Sequence, residues 1–217
     1  MYLVVSATRM ELDPLRSLLK KSDQFSLLYI GVGPVESAIN LTEFLSRQES
    51  GSISGIINVG LAGAYPETGL DLLDICLAEK EVFGDIGIST ANGIDELDSS
   101  FAPPLEFILN RQLLKTSSMS LTEAGIKNCN GNFVTVSSVS GTILRSIYLR
   151  DKFGAVCENM EGAAVARVCQ KFSIPCLELR CISNMVVERD MQHWMVEEAV
   201  EVCCGALKAV IGGMQFD

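Results

Sequence analysis

Residues 159–184 read NMEGAAVARVCQKFSIPCLELRCISN. One carboxylate, Glu161, opens a helix pattern rich in small residues, a β-type stretch covers 176–182, and the carboxamide of Asn184 stands just beyond it. In an α/β sheet this order sets a helix N-terminus beside a strand C-terminus, at the edge where such folds bind ligands.

The rest of the chain extends the alternation. Residues 2–6 form a continuous apolar run, as expected of a strand covered on both faces. A helix from about residue 10 carries Leu12, Leu15, Leu18 and Leu19 on one side, with Pro14 tolerated in its first turn. Further strands are expected at 26–30, 55–59, 73–78, 81–83, 133–139, 155–157 and 176–182, and helices at 34–48, 141–152, 161–172 and 194–211. The Gly- and Pro-punctuated stretch 84–104 reads as a loop or lid. With no repeat, low-complexity tract or boundary, all 217 residues are expected to form one domain, an α/β three-layer αβα sandwich around a central mixed sheet.

Composition narrows the function. A net charge of −10 and a pI near 4.6 argue against nucleic-acid binding, which wants a basic face. No apolar run reaches the roughly 18 residues of a membrane span, and the N-terminus lacks the basic region of a signal peptide. Eight cysteines without CxxC spacing read as buried small hydrophobes in a reducing cytoplasm. A single histidine, His193, makes a zinc site or a serine–histidine triad improbable, and no metal or cofactor is expected.

Glycine-rich turns follow the second and third expected strands, at Gly31-Val32-Gly33 and Gly60-Leu61-Ala62-Gly63, where backbone can approach a ligand closely. The first is GxGP, with no acidic residue at dinucleotide-fold spacing, so NAD binding is not expected. Glu11, just after the first strand, has an ordinary reading as a first-turn carboxylate complementing the helix dipole.

Together, Ile30-Gly31-Val32-Gly33-Pro34-Val35, Ile57-Asn58-Val59-Gly60-Leu61-Ala62-Gly63 and Asn159-Met160-Glu161 resemble the elements lining the ribose site in the purine nucleoside phosphorylase/nucleosidase superfamily. The resemblance runs from Tyr2 to the C-terminal helix and is weakest over 84–132. It implies that Glu11 activates the attacking water, that Glu161 accepts from the ribose hydroxyls, and that Met160 packs against the sugar. Asn159, Gly60, Leu61 and Ala62 line the same site by this comparison. A homodimer or larger assembly, with a partner loop closing the site, is implied as well.

Individual residues separate hydrolysis from phosphorolysis. The hexameric phosphorylases carry an arginine and a serine where this chain has Asn58 and Leu61. A leucine side chain cannot bind phosphate, and Glu11 would repel an anion, so water is the better nucleophile. Methylthioadenosine/S-adenosylhomocysteine nucleosidases have Asp where this chain has Asn184. An amide offers an N–H to the O6 of a 6-oxopurine and a C=O to a protonated N7, whereas a carboxylate would meet O6 lone pair to lone pair.

The run from Ile182 to Trp194, patterned ISNxVxxRDxxxW, resembles the futalosine hydrolase branch, as does Thr135–Thr142 beside the base, which includes Val139. The branch implies hydrolysis of futalosine to hypoxanthine and dehypoxanthine futalosine for menaquinone synthesis. It makes Arg189 a clamp and Trp194 a wall for the benzoate-bearing 5′ extension, against ordinary readings as a surface charge and a core plug. A methylthioadenosine nucleosidase, a phosphorylase and a non-catalytic nucleoside-binding protein are the rivals.

Overall fold

The computed structural model describes residues 1–19, 23–91, 93–188 and 190–214. Its strands are β1 (Tyr2–Ser6), β2 (Phe25–Tyr29), β3 (Gly55–Ala64), β4 (Ile75–Phe83), β5 (Ile88–Thr90), β6 (Gly93–Asp95), β7 (Glu106–Ile108), β8 (Asn128–Thr135), β9 (Ala155–Asn159) and β10 (Cys176–Met185). Its helices are α1 (Arg9–Leu19), α2 (Pro34–Ser46), α3 (Arg111–Glu123), α4 (Ile143–Phe153), α5 (Gly162–Phe172) and α6 (Val196–Gly213).

The central sheet is mixed and bends back on itself. β1 pairs in parallel with β2 and β3, and β3 in parallel with β10. β10 then runs antiparallel to β4, β4 and β8 are parallel, and so are β8 and β9. β9 returns antiparallel to β3, so β3, β10, β4, β8 and β9 close a ring. Helices α1, α3 and α6 bury Leu12, Leu15, Leu121, Ala199 and Leu207 against one face. Helices α2 and α5 bury Leu41, Leu45, Ala163, Val165 and Cys169 against the other, which gives the expected αβα layering. The side chain of Leu18 lies outside the described residues.

Several expected boundaries shift. Gly60–Ala64 is not a turn: β3 runs through it, because the ladder to β10 continues from Arg180↔Gly60 to Met185↔Ala64. The same ladder carries β10 past Ile182, so Asn184 lies within the strand after a register shift. The two stretches at 73–78 and 81–83 are one strand, irregular between Ala78 and Lys80, and Leu73 turns with φ 67° ahead of it. β8 begins and ends earlier than expected, which leaves Val139 in the connection to α4. The stretch 84–104 carries the β5–β6 hairpin. Pro14 falls in the second turn of α1, where it forfeits one helical hydrogen bond. Trp194 precedes the last helix, beyond a 3-10 turn at Met191–His193. Helix α3 had no counterpart in the expected order, although Asn110 caps it by accepting from the Leu113 N–H at 2.9 Å.

Candidate active site

A cavity of about 280 Å³ opens where β1, β3, β9 and β10 end. Glu11, Glu161, Met160, Asn159, Leu61, Ala62, Val139, Trp194 and Asn184 all line it, together with Arg180, Glu158, Ser140 and Ser183. Gly60 lies behind that wall. Arg189 lies outside the described residues.

Glu11 is aimed by its own helix start and by β3. Its Oε2 accepts from Thr8 N–H (2.9 Å), Thr8 Oγ1 (2.6 Å) and Ser6 Oγ (3.0 Å), while Oε1 accepts from Leu61 N–H (3.0 Å). Leu61 therefore contributes its backbone, which any side chain could supply. Gly60 is small for a local reason: a Cβ there would lie 2.8 Å from Glu11 Oε1 and 2.6 Å from Arg180 Nη1.

Glu161 stands at the N-cap of α5 and is 4% exposed. Its Oε1 accepts from Gly33 N–H at 3.0 Å, presented by the Gly31–Gly33 turn with both glycines at positive φ. Burial pushes the Glu161 carboxyl above its ordinary range, against Arg180 and the Gly33 N–H, which pull it down. Asn159 lines the cavity and also caps the helix. Its Oδ1 accepts from Glu161 N–H (3.0 Å) and Gly162 N–H (2.7 Å), and its Nδ2 donates to Glu81. The next free amide, Ala163 N–H, donates to Thr135 Oγ1 at 2.7 Å, so the start of α5 is capped from two strands.

Arg180 is the functional candidate that sequence reasoning missed. It is 1% exposed; its Nε donates to Glu178 (2.8 Å), and its Nη1 donates to Leu61 C=O (3.2 Å) and lies 3.6 Å from Glu161 Oε2. Burial works against its charge, but Glu178, Glu161 and Glu11 outweigh it and hold its pKa above the ordinary value. Nη2 is buried without a hydrogen-bond partner among the described residues. The available signal was two charged residues, Glu178 and Arg180, two positions apart on one face of an apolar strand.

On the opposite side Asn184 leans over Gly63, its Nδ2 lying 3.0 Å from where a Cβ would stand, and its Oδ1 accepts from Ser183 Oγ at 3.0 Å. Met195 N–H donates to Ser183 C=O (2.8 Å), which ties the segment carrying Trp194 to β10. Asn58, 1% exposed, does not line the cavity. No group of three or more potential metal-ligating side chains occurs among the described residues, and no described helix is long and apolar enough to cross a membrane.

Residues 14–212 match the family model described as "Phosphorylase superfamily". The chain belongs to that superfamily. Among curated superfamily relatives, it is 31% identical to the futalosine hydrolase of Thermus thermophilus over 97% of this chain and 95% of that one. It is 30% identical to a 5′-methylthioadenosine/S-adenosylhomocysteine nucleosidase of Bacillus pumilus over 73% of this chain and 67% of that one. The superfamily fold is also that of a futalosine hydrolase mutant of Helicobacter pylori, with a TM-score of 0.85 at 21% identity over 98% and 99% of the two chains.

Proposed function

We propose that this chain is one purine nucleosidase domain that hydrolyses the N-glycosidic bond of futalosine, releasing hypoxanthine. The observation that carries the reading is the pairing of Glu11, held by four donors, with Asn184 on the wall of one cavity. The similarity to futalosine hydrolase over nearly the whole of both chains supports it.

In this reading Glu161 accepts from the ribose hydroxyls, Met160 packs on the sugar, and Leu61 and Ala62 form the floor beside it, with Gly60 behind them. Glu11 takes a proton from water as its oxygen bonds to C1′. The C1′–N9 bond breaks with its electron pair passing to the base, which gains a proton at N7 by way of solvent. Positive charge developing on the sugar meets the carboxylates of Glu11 and Glu161. Arg180 steadies the water and keeps the two carboxylates from repelling each other. Asn184 donates to O6 and accepts from N7–H, Val139 flanks the base, and Trp194 walls the 5′ side.

The enzyme would act in the cytoplasm in menaquinone synthesis, as a homodimer or larger assembly. Val32, Val35 and Ile39, exposed along the start of α2 beside the cavity mouth, supply an apolar face for such pairing.

Base release tests the reading. Purified protein is incubated with futalosine, inosine and methylthioadenosine, each with and without phosphate, and the bases are separated by chromatography. Hypoxanthine from futalosine, unaffected by phosphate, is the expected result. Release that requires phosphate, or adenine from methylthioadenosine alone, would overturn it.

A further inference from the structure

Glu158 is a buried carboxylate on the cavity wall with no part in the chemistry above. Its Oε2 accepts from Ser140 Oγ (2.6 Å) and Tyr65 O–H (3.1 Å), while among the described residues Oε1 accepts from Ser140 N–H alone (2.7 Å). A carboxylate has about four acceptor sites. Three are occupied by donors among the described residues, which leaves one on Oε1.

The sheet fixes where that oxygen stands. Glu158 on β9 pairs with Gly63 on β3, and Gly63 pairs with Asn184 on β10, so three residues lie abreast on adjoining strands. At the usual strand spacing the Cα atoms of Glu158 and Asn184 are about 10 Å apart. Gly63 between them has no side chain, and the amide of Asn184 leans over it toward Glu158. All three residues line the cavity.

The two side chains can therefore address neighbouring positions on one edge of a flat heterocycle. A 6-oxopurine presents the O6 acceptor and, next to it, the N1–H donor. A 6-aminopurine presents a donor and then a lone pair, the reverse order. Asn184 can donate to the first position, and Glu158 can only accept from the second.

We infer that Glu158 is a second specificity-determining residue, accepting the N1–H of a 6-oxopurine base while Asn184 donates to O6. The inference rests on the purine nucleosidase reading above. A 6-aminopurine in the same pose sets its N1 lone pair against the carboxylate, so two neighbouring contacts turn repulsive. Buried polar mismatches of this kind discriminate far more strongly than the loss of one methylene does. The alternative, that Glu158 serves only to tether the Ser140 segment, requires nothing of the free site on Oε1.

Calorimetric binding of the free bases hypoxanthine, 1-methylhypoxanthine and adenine separates the two. The wild-type protein should bind hypoxanthine roughly 10- to 100-fold more tightly than either other base, the range for a hydrogen bond to a charged group. In Glu158→Gln the charge is lost: the amide oxygen keeps Ser140 N–H and meets N1 as a neutral acceptor, or the NH2 turns to adenine N1 and gives up that bond. The hypoxanthine-to-adenine preference should then narrow by about tenfold or more. Equal weakening of both bases in that variant, or wild-type binding of 1-methylhypoxanthine as tight as that of hypoxanthine, would overturn the inference and leave the nucleosidase reading standing. Should Glu158→Gln not fold, the wild-type comparison alone decides. If the wild-type protein binds no hypoxanthine, the nucleosidase reading fails and the inference falls with it.

Discussion

Glu81 and Glu178 bring their carboxyl groups together over Gly162. A Cβ on that glycine would lie 2.0 Å from Glu81 Oε1 and 2.6 Å from Glu178 Oε1. Both acids are buried, and Arg180 neutralises only Glu178 directly. The glycine after Glu161 is thus required by the acid pair that lies behind the helix.

Gly162→Ala should cost about 1–3 kcal/mol, the range for overpacking a filled interior. In a chain of this length that lowers the melting temperature by several degrees, measurable by calorimetry. An unchanged melting temperature would mean that the acid pair can move aside.

Burial, and then the neighbouring Glu178, hold the Glu81 carboxyl well above its ordinary value of 4.5. The folded protein therefore keeps this proton to higher pH than the unfolded chain does. The stability it contributes is complete below the unfolded value and is lost as pH rises through the folded one. Glu81→Gln removes that loss, so its melting temperature relative to wild type should climb as pH is raised from 4.5. A difference that stays flat with pH would show that Glu81 is ionised in the folded protein.

Arg180→Met leaves Glu178 and Glu161 buried without their cation. Breaking such a pair from one side costs about 3–5 kcal/mol. Burial already pushes the Glu161 carboxyl up and Arg180 pulls it down, so with the cation gone Glu161 gains affinity for protons in the folded state and the deficit should shrink as pH falls. Urea titrations at pH 5 and pH 8 would show it, and a deficit equal at both would argue that the guanidinium acts through packing alone.

Glu11→Gln keeps the acceptor facing Leu61 N–H but cannot take a proton from water. Turnover of futalosine should fall about 10²–10⁴-fold, the usual contribution of a general base, with KM little changed. A variant that turns over near the wild-type rate would remove Glu11 from the chemistry.

Asn184→Asp replaces the donor facing O6 with a second acceptor. Hydrolysis of futalosine should lose roughly 10- to 100-fold in kcat/KM, while that of methylthioadenosine rises relative to it. An unchanged ratio would mean that Asn184 does not read the base.

The site was legible where chemistry and backbone geometry share a short stretch of chain. Glu161 and Asn184 flank one helix and one strand, so local pattern sets them at one edge of the sheet, while Glu11 joins them through the family resemblance, local pattern alone reading it as a helix-start carboxylate. Gly60–Ala64 was misjudged because glycines resemble a turn, and only the ladder to β10, supplied by residues 180–185, shows that they are extended. Arg180, Glu178, Glu81 and Glu158 escaped notice for a related reason. Glu81 and Glu158 take their partners from other strands or loops, which periodicity does not report, while Glu178 and Arg180 pair within β10 but lie in an otherwise apolar strand. Asn159 lines the cavity, but its bonds to Glu81 and to the start of α5 come from residues that local pattern does not connect to it.

Strand β3 has β1 and β10 along its length and β9 at its far end, so it belongs to both the open sheet and the closed ring. Its ladder to β10 continues through Gly60, Leu61, Ala62 and Gly63, the stretch that lies under the cavity. The floor is then among the last parts of the molecule to exchange its amide hydrogens, while the walls at Val139 and Trp194 stand on connecting segments. New substrates can be admitted by changing those walls, because the rigid base beneath them is set by the fold itself.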